Sequence, residues 1–186
     1  MNSDPIQDYI LENKNNLRIA VAVSSAWSEA GGKLVFGFLD RLRSRLEAKL
    51  KGWEFDRWGC YLDDSDAGFD FWKPAWKAEY YVSLEVQGNG EDVTFGLGRD
   101  ADKEHIKKSP RCAELLTAVR ECYPSASDRK WWEAAVRMQS PAADWGKPEV
   151  LWQMHTDPKF LDDVAEQLLK VAEISERIVD RLAGMK

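Results

Sequence analysis

Two carboxylates and an amide pose the first chemical question in this sequence: Asp70, then Glu85 with Gln87 two residues beyond it. Carboxylates brought together from neighbouring strands can hold Mg²⁺ on oxygen and activate a water molecule. In that pattern Asp70, Glu85 and Gln87 form the candidate catalytic set. A second group of residues suits contact rather than chemistry. Asp63, Asp64, Asp66 and Asp70 crowd the stretch DDSDAGFD, and Trp72 and Trp76 follow in FWKPAWK. Trp131 and Trp132 form a further pair in RKWW. Tryptophan is enriched at interface hot spots, and acids beside it favour basic side chains. These eight residues are the expected partner-binding surface.

Other reactive patterns are absent or broken. GGK at Gly31 to Lys33 lacks the earlier glycine and the following Ser/Thr of a phosphate-binding loop. There is no GxSxG, and the two histidines, His105 and His155, read as surface or cap residues. Cys60, Cys112 and Cys122 have neither zinc spacing nor CxxC, which fits reduced thiols. DDSDAGFD departs from a calcium loop, with Gly68 one place early and no glutamate at the twelfth position. No cofactor and no metal site is expected.

The net charge of −6 is unevenly spread. Lys33 to Lys51 holds six Lys/Arg against two acids, whereas Glu54 to Glu104 holds thirteen acids against five bases. The second segment, at −8, repels phosphate and suits a protein partner with a basic surface. Nucleic acid is disfavoured for the same reason, although FWKPAWK and RKWW interleave Trp with Lys/Arg as base-stacking segments do. Arg41, Arg45 and Lys49, spaced by four, could touch phosphates, but they read better as an outer helix face paired with acids. The nine tryptophans divide between core packing and interface. No apolar run is long enough to cross a membrane, and the charged start lacks a signal peptide's apolar stretch. A cytoplasmic monomer or homodimer is expected.

The elements that must position these residues are legible. Asp4-Pro5, Ser109-Pro110 and Asp157-Pro158 each put a capping side chain before a proline at the first helical position. Val35, Leu39, Leu42, Leu46 and Leu50 form one helical stripe that stops at Gly52. The preceding segment reads as helical too, broken or kinked at Gly31-Gly32. Leu161, Val164, Leu168, Val171, Ser175, Ile178 and Leu182 define a long closing helix that packs on the protein's own core.

Val82, Leu84 and Val86 alternate with polar residues ahead of Asn89-Gly90, a hairpin signal. That turn pairs Val86 with Val93, Leu84 with Phe95 and Val82 with Leu97. The opposite face then carries Glu85 across from Thr94, with Gly96 and Gly98 implying the close approach of a helix, an aromatic lid or a ligand. WEFDRWGCYL reads as a third strand with a bulge near Arg57, and WWEAAVRMQ as a fourth with Trp132, Ala134, Val136 and Met138 on one side. The class is α+β, a single domain with a largely antiparallel sheet of three to four strands and a long C-terminal helix. Residues 1–52 form a helical N-terminal part, 53–139 a sheet with one helix, and 157–184 the closing helix.

Helix, three strands, helix, strand is the element order of the PD-(D/E)XK nuclease core. Here glutamine, Gln87, stands where that pattern has lysine. The run YYVSLEV, FGLG, WWEAAV and PEVLWQM, closed by a long helix, resembles the C-terminal region that follows the nuclease domain in some proteins of that superfamily. The likeness covers residues 17 to 182. It implies a detached accessory module and carries over no catalytic residue. Together these readings give a non-enzymatic interaction protein with an acidic, Trp-rich surface. Its partner would be a nucleic-acid-binding defence complex, blocked as phage or mobile-element inhibitors block theirs. The alternative is a diverged Mg²⁺-dependent nuclease.

Overall fold

The computed structural model describes residues 4–59, 67–76, 79–100, 111–140 and 142–183. Asp4 caps helix α1 (Pro5–Glu12), its carboxylate accepting from the Ile6 N–H at 2.9 Å with Pro5 next in line. Asn13 caps α2 (Lys14–Lys49) by accepting from the N–H groups of Asn15 and Asn16.

The expected break at Gly31-Gly32 does not occur: α2 runs through both as one helix of 36 residues. Two interior glycines cost a helix about 1 kcal/mol each relative to alanine, but here both are buried. A Cβ on Gly31 would stand 3.7 Å from Leu151 Cδ1, so the pair gives room for close packing rather than a hinge. Beyond it, Val35, Phe38, Leu39, Leu42 and Leu46 turn into the core. The Leu50 N–H bonds back to the Leu46 carbonyl, and Gly52, at φ 80°, turns the chain into the sheet. Ile6, Leu11, Val21, Val23 and Trp27, on α1 and the first half of α2, remain exposed.

The sheet has six strands in the order β1-β2-β3-β4-β6-β5, every neighbouring pair antiparallel. They are β1 (Glu54–Gly59), β2 (Ala67–Trp72), β3 (Tyr80–Gln87), β4 (Asp92–Arg99), β5 (Ser127–Arg129) and β6 (Trp132–Arg137). Six rather than three to four strands follows from two omissions in the sequence reading. β2 hides behind an acidic run that mimics a turn, and β5 is only three residues long. The β3–β4 hairpin has the expected register, with Val86 opposite Val93, Leu84 opposite Phe95 and Val82 opposite Leu97. Its turn is closed by the Glu91 N–H donating to the Gly88 carbonyl, and Gly88 and Gly90 hold positive φ.

The bulge expected near Arg57 is absent, because β1 pairs with β2 without a register shift. Its irregular pattern reflects an edge strand, much of it exposed, where burial does not enforce alternation. The irregularity lies instead between β4 and β6, where Leu97 faces Ala134 but Gly98 faces Trp132. The extra residue there is Glu133. As a result Ala134, Val136 and Met138 join the core, while Trp132 turns to the other side of the sheet.

Helices α3 (Arg111–Cys122), α4 (Pro148–Thr156) and α5 (Pro158–Ala183) complete the fold. Asp157 caps α5 by accepting from the Lys159 N–H. Val164, Leu168, Val171, Ser175 and Ile178 of the expected seam are buried and Leu161 is half-buried. α5 packs on β3 and β4, and α3 on β6, so one sheet face is the core. Trp145, fully buried, meets Phe38 edge-on at 5.2 Å. The Ser109-Pro110 start, His105 and Cys60 lie outside the described residues. Among those residues no helix is long and apolar enough to cross a membrane.

Candidate functional site

The second face of the sheet holds the polar half of each strand's alternation. Asp56 of β1 stands opposite Asp70 of β2, and Asp70 stands opposite Ser83 of β3. Glu85 lies one pair along, between Gly68 and Thr94. Asp70 and Glu85 therefore share a face, and both line one concavity of about 230 Å³. Its other walls are Trp58, Tyr81, Trp131 and Trp132, with Ser83 in the floor.

Glycines make this geometry. A Cβ on Gly98 would stand 2.2 Å from Tyr81 Cε2, so the Tyr81 ring lies flat against bare backbone. Its hydroxyl donates to the Arg99 carbonyl at 3.2 Å, which fixes the ring. A Cβ on Gly68 would stand 2.1 Å from the Leu84 carbonyl oxygen and 3.0 Å from the Trp58 indole, so both β3 backbone and that ring press on it. The close approach that Gly96 and Gly98 implied is thus, at Gly98, an aromatic ring of the protein itself. At Gly96 it is backbone, since a Cβ there would stand 2.0 Å from the Ala134 carbonyl oxygen.

The Trp132 wall depends on the bulge, and a buried ion pair holds the bulge. Glu133 is fully buried and its Oε1 accepts from Arg99 Nη1 at 3.1 Å. Arg99 also donates to Asp128 and to the carbonyls of Arg129 and Lys130. One guanidinium therefore ties the β5–β6 turn to the end of β4. Trp131, in that turn, is exposed and carries Lys130 Nζ 4.5 Å from its ring centroid.

The electrostatics of the concavity are one-sided. Asp70 is pushed up to about 6, first by desolvation, with Asp56 and Glu85 adding repulsion and Ser83 and Trp58 partly opposing. Yet its Oδ1 and Trp58 Nε1 are both buried without a completed hydrogen bond. Among the described residues no lysine or arginine is a cause of this shift. Tyr81 is raised to about 12 by burial and by Asp70, Asp100 and Glu85. Gln87 donates to Glu85 Oε1. This is a small aromatic cup with a negative floor.

The expected partner-binding residues divide. Asp70, Trp131 and Trp132, far apart in sequence, meet in the cup. Trp76 is corrected: it is 2% exposed, belongs to the core, and donates from Nε1 to Asp180 Oδ1 at 2.8 Å. Its ring meets Trp53 edge-on, a role the pattern FWKPAWK does not reveal. Trp72 is half-buried at the sheet's end, donating to Glu54 at 2.9 Å. Asp63, Asp64 and Asp66 lie outside the described residues.

Trp58 and Tyr81 were missed as site residues, although Gly68 and Gly98 on the paired strands offered a signal. Arg41 donates to the Met154 carbonyl and Arg45 pairs with Asp162, as befits an outer helix face packed on α4 and α5. Among the described residues no three His, Cys, Asp or Glu side chains could hold a metal together. A larger groove of about 470 Å³ lies between the end of α3, β6 and α5, but its one carboxylate, Asp163, is paired with Lys159.

Comparison with protein-family models, with curated proteins and with solved structures returned no match.

Proposed function

We propose that the chain is a non-enzymatic protein-interaction module whose second sheet face docks a partner with a basic surface. One observation carries this reading: Asp70 and Glu85 share a concavity walled by four aromatic side chains, and among the described residues that line it none is a lysine or arginine. Burial makes the charged form of Asp70 unfavourable in the free protein, and a basic partner would offset that cost. Exposed Trp131 at the rim supplies an anchor of the type that dominates interface energies. A nucleic-acid-binding protein presents the required basic surface, which keeps a phage or mobile-element inhibitor of host defence as the biological setting we favour. Descent from an accessory region of PD-(D/E)XK proteins belongs to the same proposal.

The test is calorimetric titration of a Lys/Arg-rich peptide into the protein at low and moderate salt. Asp56→Asn with Glu85→Gln should weaken binding about tenfold, the equivalent of ~1.4 kcal/mol, and flatten its salt dependence. Equal affinity in the neutralised variant would refute the surface.

The second reading, a diverged Mg²⁺-dependent nuclease using Asp70, Glu85 and Gln87, is favoured by the shared face of the two carboxylates. Gln87 supplies no positive charge there and instead donates to Glu85. Nucleic-acid cleavage in Mg²⁺ or Mn²⁺ that disappears in Glu85→Gln would establish this alternative.

A further inference from the structure

Resting on the interaction reading, we infer that the cup is a cage for a single organic cation, the lysine or arginine head group of the partner. Size argues for a side chain: about 230 Å³ falls below the ~300–1,000 Å³ of pockets for drug-sized ligands. Chemistry argues for a cation. The faces of Trp and Tyr rings are negative in their quadrupole, and attraction to a cation grows when both are desolvated. Tyr81 and Trp58 are held against Gly98 and Gly68 and Trp132 is seated by the bulge, so these walls are set before a ligand arrives. Such preorganisation removes an ordering cost from binding.

The floor supplies the counter-charge. Asp70 faces Ser83 and Trp58, with Asp56 and Glu85 as the charged groups acting on it from β1 and β3. Its Oδ1 is buried without a completed hydrogen bond, beside the equally unsatisfied Trp58 Nε1. Lys130 already places an ammonium over Trp131 at the rim, an intramolecular instance of the contact assigned to the cage. Neither a phosphate nor a second carboxylate suits such a floor.

The experiment titrates n-butylammonium and n-butylguanidinium, with neutral 1-pentanol as an uncharged control one methylene longer than the ammonium, while following the indole N–H resonances. Saturable shifts of Trp58, Trp131 and Trp132 with either cation are expected, with pentanol at least tenfold weaker. Trp58→Leu, which keeps apolar volume but removes the ring, should lose at least fivefold in cation affinity. Asp70→Asn, a near-isosteric change, should do the same and guards against a folding defect in the first variant. Pentanol binding as well as the cations, or no saturable shift with either cation, overturns the cage. Basic peptide that binds while neither small cation does would overturn the cage and leave the interaction reading standing. Small cations that saturate while the peptide does not bind would uphold the cage and reject the interaction reading.

Discussion

Replacing Arg99 by methionine will lower the unfolding free energy by about 3–5 kcal/mol, the usual cost of leaving one partner of a buried ion pair behind. Glu133 is fully buried and accepts from Arg99 at 3.1 Å, so the variant leaves a carboxylate in the sheet without its guanidinium. For a chain of this length the melting temperature should fall by roughly 10 °C. The chemical-denaturation midpoint measures the same loss. Arg99→Met with Glu133→Leu should recover much of the stability, because neither charge of this pair then remains buried. Even so, that double variant should lose the cup. Arg99 also holds the carbonyls of Arg129 and Lys130, and without it Trp131 and Trp132 have no fixed turn beneath them. Stability restored while binding stays lost separates the packing role of this pair from its placement of the site.

Asp70→Asn will stabilise the protein at pH 7 to 8, by about 1–3 kcal/mol. The sign follows from a folded value raised from 3.8 to about 6 by desolvation, with Asp56 and Glu85 adding repulsion. Below pH 3.8 the carboxyl is neutral in both folded and unfolded chains and costs nothing extra. Between that value and about 6 the folded state holds the proton more tightly, so stability falls as pH rises, then levels off. Asparagine carries no such titration, and the variant's advantage should appear across that window. Urea unfolding at a series of pH values, wild type beside variant, reads it directly. Cation binding by the wild type should strengthen over the same window, as Asp70 gains its charge. A residue that destabilises its own fold at neutral pH yet strengthens binding there behaves as a functional site does.

Much of this fold was legible because local and long-range signals agreed. The β3–β4 hairpin could be registered to the residue, since the turn at Asn89-Gly90 and the burial of Val82, Leu84 and Val86 demand one alignment. Asp4 and Asp157 announce their helices through a capping oxygen followed by proline. Elsewhere tertiary packing overrode local preference. Gly31-Gly32 reads as a break, but burial against α4 keeps α2 continuous. Ala67 to Trp72 reads as the tail of an acidic turn, but pairing on both sides makes it a central strand, β2.

The site was legible only in parts. Asp70, Trp131 and Trp132 stand among the expected contact residues, but nothing local shows that a bulge at Glu133 rotates Trp132 away from the core to join Asp70. Trp76 and Trp131 sit in similar aromatic, lysine-flanked runs, yet one is core and the other rim. The difference is Asp180, more than a hundred residues away, which accepts the Trp76 indole N–H. Trp58 and Tyr81 escaped notice because each is defined by a glycine on the neighbouring strand.

The central claim is that a basic partner docks on the second sheet face, and the indole N–H spectrum tests it most directly. Titration of a Lys/Arg-rich peptide should move the resonances of Trp58, Trp131 and Trp132 together, saturably, while those of Trp76 and Trp145 in the core stay fixed. Movement confined to Trp27 and Trp152 on the helices, with the cup tryptophans unmoved, would contradict the account.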